Sequence, residues 1–362
     1  MNPLLAVLRE PALMGRLDEE AWDSVIRMAR LARLLSRLQP LAEGEGLWEV
    51  LPERARNNIL GAQAWVTYHQ RQVRRELKAV QKALEGLDAP LLLLKGAAYL
   101  EAALPPAAGR TLADLDLLVP KEALPPIEQT LVAAGWRSDL EDDYDQRYYR
   151  RWMHEIPPLK HPNRGVEVDL HHNLLALTGR YQVPVERLWE EARPLPGGKL
   201  WVLSPADMVI HSAVHLLVSD ELRGGLKDLF DIHQLYHHFS AAEADFPRRL
   251  VARAAQLGLS RPLWYALQAC RRLLGTPVEP SLQEEEAFDL PHPWQARLMI
   301  RLVEQVLTPR LPEAPPPTLA QELLYLRSHW LRMPLPLLTA HLARKAWRRM
   351  RGSDGHQEGK IP

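Results

Sequence analysis

The chain has 362 residues, a length that supports two or three domains and a substantial hydrophobic core. Hydrophobic residues make up 46% of the chain and charged residues 25%, the usual balance for a globular protein. The 45 basic residues offset the 45 acidic ones, so the formal net charge is zero. This balance excludes a general electrostatic attraction to nucleic acid, although it leaves room for a local basic groove.

The cysteine content and the N-terminal segment favour a cytoplasmic location. Cys270 is the only cysteine, so the chain cannot form an internal disulfide and suits a reducing compartment. Residues 1–20 lack the basic and apolar regions of a secretory signal peptide. No stretch reaches the roughly 18 uncharged apolar residues that a spanning helix needs. We therefore expect no membrane and no disulfide partner, and the sequence does not define an oligomeric state.

The first part of the chain, residues 1–88, is predicted to be an N-terminal helical region. Residues 17–38 and 55–87 repeat apolar side chains at helical spacing, with Arg and Glu between them. Asp88-Ala89-Pro90 interrupts this pattern and marks the start of a second region. Residues 89–203 mix strand and helix patterns, and we assign them to a core.

The core opens with four leucines at residues 91–94, a run typical of a buried strand. Lys95-Gly96 ends the run, and residues 114–119 form a second predicted strand that carries Asp114 and Asp116. Residues two apart in a strand point to the same face, with Cα atoms about 7 Å apart. Two such carboxylates can share the ions of a two-metal site, which lie about 3.5–4 Å apart.

A third acid lies on a later predicted strand, residues 165–172. Its alternation places Glu167, Asp169 and His171 on one face and apolar residues on the other. If this strand lies beside residues 114–119, Asp169 completes a cluster of three carboxylates. Crowded carboxylates raise each other's pKa values unless a cation neutralises them. Oxygen ligands favour Mg²⁺ (or Mn²⁺), which also keeps coordination positions for substrate phosphates.

These motifs resemble the nucleotidyltransferase superfamily that includes DNA polymerase β, and more narrowly a bacterial group of uncharacterised nucleotidyltransferases. The shared pattern is a Lys-Gly pair, an Arg shortly before Asp-x-Asp, and a later Asp-Leu-His. Its residues here are Lys95, Gly96, Arg110, Asp114, Asp116, Asp169, Leu170 and His171. The resemblance covers roughly residues 90–240. It implies an α+β fold with a small mixed-sheet, polymerase β-like core flanked by N- and C-terminal helical regions.

The resemblance also implies a substrate and ligand set. The substrate is an NTP, and Asp114, Asp116 and Asp169 are the catalytic metal ligands. Lys95, the backbone of Gly96 and Arg110 are expected to neutralise the phosphates. The superfamily usually has Ser after the turn glycine, where its hydroxyl helps to hold a phosphate, whereas this chain has Ala97.

Residues 204–347 are predicted to form a C-terminal helical domain, and residues 348–362 a disordered tail. Ser204-Pro205 indicates a helix start, with Ser as the N-cap and Pro in the first turn. His211 and His215 share a face of that helix. The pair is compatible with half of a zinc site or with a packed, hydrogen-bonded pair.

A second helix of this region carries Lys227 and Asp231, which are four residues apart and share a face. Related nucleotidyltransferases, including toxin-like members, have a similar Lys-Asp-x-x-Asp helix after the core. One interpretation therefore places Lys227 on a nucleotide phosphate with Asp231 orienting it. The other is an exposed ion pair worth a few tenths of a kcal/mol.

Three functions remain open on the sequence. The first is Mg²⁺-dependent transfer of a nucleoside monophosphate from an NTP to an acceptor hydroxyl on a small molecule, protein or RNA. The second is a nucleotide-binding regulator or adaptor without turnover, which Ala97 favours. The third is a nucleotidyltransferase toxin that modifies tRNA or protein. The Lys227 helix and the cluster of Arg and aromatic residues at 147–153 suggest it, although that cluster also fits an amphipathic strand.

Overall fold

The computed structural model describes residues 2–140, 142–219, 222–279, 292–334 and residue 339. Most of these residues are helical. The α-helices are α1 Pro3–Arg9, α2 Glu19–Leu31, α3 Leu38–Gly44, α4 Glu53–Ala83, α5 Lys95–Glu101, α6 Leu124–Ala133, α7 Asp143–Trp152, α8 Val185–Glu191, α9 Pro205–Val214, α10 Leu226–Ala242, α11 Phe246–Gln256, α12 Ser260–Ala269, α13 Pro293–Leu307 and α14 Thr318–Arg332. The predicted tail at 348–362 lies outside the described residues.

One mixed sheet of six strands lies between the helices that precede residue 90 and those that follow residue 204. The strands are β1 Leu91–Leu93, β2 Asp114–Leu118, β3 Leu159–Lys160, β4 Glu167–His171, β5 Arg193–Pro194 and β6 Leu200–Val202. Their order across the sheet is β3-β4-β2-β1-β6-β5. The prediction of a mixed-sheet protein with flanking helices is confirmed at this level.

Strands β2 and β4 each have one apolar face and one polar face. Leu115 and Leu117 of β2 are fully buried in the core, and Val168 and Leu170 of β4 pack on the same side. The alternate residues of both strands point the other way, because side chains alternate across a strand. Strands β2 and β4 are adjacent and parallel, so their polar faces form one surface.

Local sequence explains where several helices begin and end. The Ser204 hydroxyl accepts a hydrogen bond from the Asp207 backbone N–H, which caps α9 as predicted. Pro205 fills the first helical position, where no backbone donor is needed. Helix α6 ends immediately before Gly135, whose φ of +106° is a conformation that favours glycine.

The N-terminal helices pack directly against the turn that precedes β2. The Ser36 hydroxyl donates to the Gly109 carbonyl over 2.6 Å. Gly109 has a φ of +72°, and a Cβ atom there would lie 2.8 Å from the Arg37 backbone nitrogen. Gly109 therefore permits both the turn and the close approach of the two segments. This contact brings Arg37 towards the polar face of the sheet.

The segment of Arg and aromatic residues at 147–153 differs from the predicted amphipathic strand. Residues 143–152 form helix α7, in which the Tyr148 and Trp152 rings lie 5.8 Å apart. Arg150 makes a two-bond contact with the Glu128 carboxylate on α6. The strand prediction was wrong because side chains four residues apart pair on a helix, a spacing that alternation did not capture.

Candidate functional site

The three predicted aspartates lie together on the polar face of β2 and β4. The parallel register pairs Asp116 directly with Asp169 and Asp114 with Glu167. One carboxylate oxygen from each of Asp114, Asp116 and Asp169 lies within 4.8 Å of those of the other two. The predicted adjacency of the two strands is therefore confirmed. We call these three residues the carboxylate cluster.

Negative charge is concentrated in the carboxylate cluster. The neighbouring Asp116 and, next, burial raise the pKa of Asp114. Burial, followed by the charge of Asp116, raises the pKa of Asp169 to about 8. Burial alone would also raise the pKa of Asp116, but Lys95 and a hydrogen bond from His171 outweigh it and lower that pKa. The cluster thus holds one firmly ionised carboxylate beside two that resist ionisation.

The carboxylate cluster fits a hard divalent cation. Asp169 Oδ1 is buried and has no hydrogen-bond partner among the residues that the structure describes, which is costly for a carboxylate oxygen. A cation at that oxygen would replace the missing partner and offset the repulsion from Asp116. All three ligands are carboxylate oxygens, the donor type that suits Mg²⁺ or Mn²⁺ rather than a thiolate-seeking metal.

Lys95 is the cation nearest to this cluster. Strand β1 ends beside β2, where the Leu94 backbone N–H donates to the Asp116 carbonyl over 3.1 Å. Lys95 then adopts a φ of +43° at the start of α5, and its Nζ lies 3.4 Å from Asp116 Oδ1. Burial would lower the pKa of Lys95, but Asp116 and Asp114 together raise it. Lys95 is therefore a charged group beside the carboxylate cluster.

Gly96 is needed for packing. A Cβ atom at this position would lie 2.2 Å from Leu112 Cδ2 and 3.1 Å from Arg110 Nε. No larger residue fits without moving these side chains. The predicted contact between the Gly96 backbone and a phosphate stays a prediction.

Arg110 and Asp231 lie behind the site in a buried ion-pair network. Arg110 Nη1 is 2.5 Å from Asp231 Oδ2, and Arg110 Nη2 is 3.5 Å from Asp228 Oδ1. Asp231 also pairs with Arg37, and Lys227 Nζ lies 2.7 and 2.8 Å from the two Asp228 oxygens. We call these five residues the arginine network.

This arrangement corrects the prediction for the Lys227 helix. Asp231 contacts two arginines instead of orienting Lys227, because its side chain is only 2% exposed and points into the protein. Lys227 pairs with the adjacent Asp228, so the predicted i, i+4 ion pair is not formed. Arg110 is also largely enclosed, with 10% of its side chain exposed. Lys227 keeps 25% of its side chain exposed. Its charge lowers the pKa of Asp114, so Lys227 lies near the carboxylate cluster.

On the other side of the carboxylate cluster lies a group of two histidines and a glutamate. His171 Nε2 is 3.0 Å from Asp116 Oδ1, so it contacts that carboxylate directly. His171 Nδ1 is 3.4 Å from Glu155 Oε2, and His154 Nε2 is 3.9 Å from the same oxygen. One atom from each of His154, Glu155 and His171 lies within 4.8 Å of the other two. We call this the histidine cluster.

His211 is buried and His215 is partly buried near the site. Burial lowers the pKa of His211 well below its usual value and that of His215 to about 3. Both imidazoles are therefore neutral at physiological pH. Within the described part of the chain, neither belongs to a group of three side chains spaced to hold a metal ion. The zinc interpretation thus lacks a third ligand there.

Sequence reasoning missed three side chains of this region. Arg37 follows Arg27, Arg30 and Arg33 in a leucine-rich segment, and nothing in the sequence distinguishes it from those three arginines. Glu155 reaches His171 through an isolated bridge between their backbones, which no local motif signals. Asp228 was visible beside Lys227, and its position in the first turn of α10 was the available signal.

The sequence also matches a known protein family. Residues 18–275 match the family described as uncharacterised nucleotidyltransferase. The match spans more than half of the chain, so the protein belongs to this family. Neither the curated proteins nor the solved structures contain a match. In the described ranges, no helix has both the length and the apolar character required to cross a membrane.

Proposed function

We propose that this protein transfers a nucleoside monophosphate from an NTP to an acceptor hydroxyl. The observation that carries the proposal is the register that places Asp116 opposite Asp169, with Asp114 alongside and a buried Asp169 oxygen left without a partner. Family membership supports the same reaction class. In this proposal, residues 89–203 form a polymerase β-like core between helical regions at 1–88 and 204–347, and the protein acts in the cytoplasm.

The carboxylate cluster would hold two divalent cations, Mg²⁺ or Mn²⁺. When bound, such ions lower the pKa of the attacking hydroxyl and neutralise the triphosphate. Asp114 and Asp116 would ligate both ions, and Asp169 would ligate the second. The His171 hydrogen bond fixes the orientation of the Asp116 carboxylate.

The acceptor oxygen attacks the α-phosphorus and forms a new P–O bond. The bond from the α-phosphorus to the bridging β-oxygen breaks, and pyrophosphate leaves with that electron pair. The hydroxyl proton passes to a solvent water molecule as the new bond forms. Lys95 and Lys227 neutralise charge on the β- and γ-phosphates, since both are partly exposed beside the carboxylate cluster.

Arg110 and Asp231 contribute indirectly to phosphate binding. Arg110 forms an ion pair with Asp228, and Asp228 pairs with the Lys227 ammonium beside the carboxylate cluster. Asp231 in turn fixes Arg110. The arginine network is therefore a support that positions Lys227, and Gly96 allows α5 to approach Leu112 closely beside it.

Ala97 supports a second candidate, a nucleotide-binding regulator without turnover. Its side chain is 3% exposed and provides no hydroxyl at the turn after Gly96. A chain that binds phosphate only through Lys95 and Lys227 would hold an NTP less firmly than a relative with a serine there. Binding without transfer is the outcome that separates this candidate from the enzyme.

The test is incubation with Mg²⁺, α-³²P-labelled NTPs and separate pools of RNA, protein and small-molecule acceptors. We expect label transfer by the wild type and a loss of at least about a thousandfold, or about 4 kcal/mol, in Asp116→Ala. Glu167→Gln is the matched control because it changes an acid of the same face that pairs with Lys160.

Equal transfer by wild type and Asp116→Ala would refute the proposal. Calorimetric NTP binding by the wild type, without transfer to any pool, would select the regulator instead. The three acceptor pools are assayed separately, so a positive result also identifies the acceptor class.

A further inference from the structure

The histidine cluster has the ligand types and spacing of a transition-metal site. Its potential ligand atoms are two imidazole nitrogens and one carboxylate oxygen, the combination common at Zn²⁺ and related ions. Glu155 Oε2 lies 3.4 Å from His171 Nδ1 and 3.9 Å from His154 Nε2. Two ligand atoms on a tetrahedral ion with bonds of about 2.0–2.1 Å lie about 3.3–3.4 Å apart. Small side-chain movements would bring all three atoms to that spacing.

The backbone fixes these residues beside each other. Glu155 and His171 occupy opposite positions of an antiparallel bridge, so their side chains leave the same face. The Ile156 backbone N–H donates to the Leu170 carbonyl, and the His172 N–H donates to the His154 carbonyl over 2.8 Å. The cluster therefore rests on main-chain pairing with β4, a rigid support for a metal site.

Two buried nitrogens of the cluster, Nδ1 of His154 and Nδ1 of His171, lack a hydrogen bond within the described part of the chain. His171 is 4% exposed, and its Nδ1 approaches Glu155 without a hydrogen-bonding geometry. Its other nitrogen, Nε2, lies 3.0 Å from Asp116 Oδ1. A histidine that binds a metal through one nitrogen commonly donates its second N–H to a carboxylate. His171 has this arrangement, with Nδ1 left for an ion.

We propose that His154, Glu155 and His171 bind a divalent transition-metal ion such as Zn²⁺ at a site separate from the carboxylate cluster. The ion would fix the His171 tautomer with the proton on Nε2, so that His171 donates to Asp116. It would thereby hold Asp116 in a single orientation. The test of this site does not depend on the proposed nucleotidyl transfer, because it measures metal binding and not activity.

The test uses Co²⁺, whose visible absorption reports four-coordinate binding, and elemental analysis after loading with Zn²⁺. The chelator-treated full chain is titrated with Co²⁺ in excess Mg²⁺, which competes for the carboxylate oxygens. We expect one equivalent bound with a tetrahedral spectrum. His154→Gln and Glu155→Gln each remove one ligand, and we expect at least about a hundredfold weaker binding in each.

Two controls separate this site from its neighbour and from unspecific binding. The Asp114→Asn/Asp169→Asn double variant should keep the Co²⁺ spectrum, because it changes only the carboxylate cluster. His238→Ala, which removes an exposed histidine of α10, should also keep it. Circular dichroism and metal-free melting temperatures establish that each variant is folded.

The proposal is overturned if the wild type shows no four-coordinate Co²⁺ spectrum. It is equally overturned if either ligand variant keeps wild-type affinity, or if the spectrum disappears in the double variant and persists in the two ligand variants. In that last case the ion would belong to the carboxylate cluster.

Discussion

The carboxylate cluster and the arginine network are both enclosed groups of charges, but only the second is balanced. Every carboxylate of the arginine network faces Arg or Lys, so its two carboxylates are neutralised by three cations. The carboxylate cluster has one adjacent lysine for three acids and leaves a buried Asp169 oxygen unpaired. Balanced charges support a structure, whereas unbalanced charges require a ligand.

Neighbouring charges explain why the pKa values of Asp228 and Asp169 change in opposite directions. Burial opposes ionisation of Asp228, yet Lys227 and Arg110 outweigh it and lower the pKa of Asp228. Burial and the Asp116 charge instead raise the pKa of Asp169 to about 8. The same side chain is thus stabilised as an anion in one place and disfavoured as an anion in the other.

The largest expected effect comes from making the same Asp→Asn change in each group. Asp231→Asn leaves Arg37 and Arg110 as buried, incompletely paired cations, and should reduce the free energy of unfolding by about 3–5 kcal/mol. Asp169→Asn removes repulsion and should not reduce it in metal-free buffer. Urea unfolding in EDTA measures both. A loss of similar size in the two variants would show that the groups do not differ.

Divalent cations should stabilise only the unbalanced group. At a concentration of about 100 times its Kd, Mg²⁺ should raise the free energy of unfolding of the wild type by about 2.7 kcal/mol. Removing two of the three ligands with Asp114→Asn/Asp169→Asn should abolish this gain, and Asp231→Asn should keep it. Thermal unfolding with and without Mg²⁺ provides the measurement. An undiminished gain in the double variant would place the cation elsewhere.

His233, which is far along the chain from the carboxylate cluster, is expected to make the free energy of unfolding depend on pH. Burial, with a smaller effect of His237, lowers the pKa of His233 to about 3, and its Nδ1 lies 2.8 Å from the Thr276 hydroxyl. The unfolded chain binds a proton at this residue near pH 6.5 and the folded chain does not. Folding is therefore favoured at high pH, and this contribution is lost as pH falls from 6.5 towards 3.

The expected loss from His233 is about 2 kcal/mol between pH 7 and pH 5. His233→Gln should remove this part of the pH dependence, measured by urea unfolding at both values. His238→Gln replaces an exposed histidine of the same helix and is the matched control. An identical pH dependence in His233→Gln and the wild type would contradict the assignment.

The carboxylate cluster was predictable because alternation along a strand is a local property. Asp114 and Asp116 share a face from their spacing alone, and Asp169 follows from a second alternating segment together with the family resemblance. The flanking helices also follow from apolar periodicity, whereas the mixed sheet was implied by the family resemblance. The strand prediction for residues 147–153 was wrong because the spacing of aromatics and arginines in so short a segment does not distinguish a strand from a helix.

The supports of the site were not predictable from local patterns. Arg37 reaches Asp231 only because Gly109 lets the N-terminal segment approach the sheet, a contact between segments far apart in sequence. Helical spacing correctly placed Lys227 and Asp231 on one helix, but burial determined their partners. Alternation also could not separate Asp169 from Glu167, which lie on one face of one strand.

Glu167 therefore gives the smallest expected effect and the sharpest boundary for the carboxylate cluster. It lies opposite Asp114, but its Oε1 is 2.8 Å from Lys160 Nζ and its side chain is 39% exposed. Exposed pairs of this kind contribute at most about 1 kcal/mol, so Glu167→Gln should change the free energy of unfolding by no more than that. The stabilisation by Mg²⁺ should stay at the wild-type value, as thermal unfolding would show. If Glu167→Gln loses as much of the Mg²⁺ stabilisation as Asp114→Asn/Asp169→Asn, Glu167 is a fourth ligand. The distinction between this acid, paired with Lys160, and the carboxylate cluster would then fail.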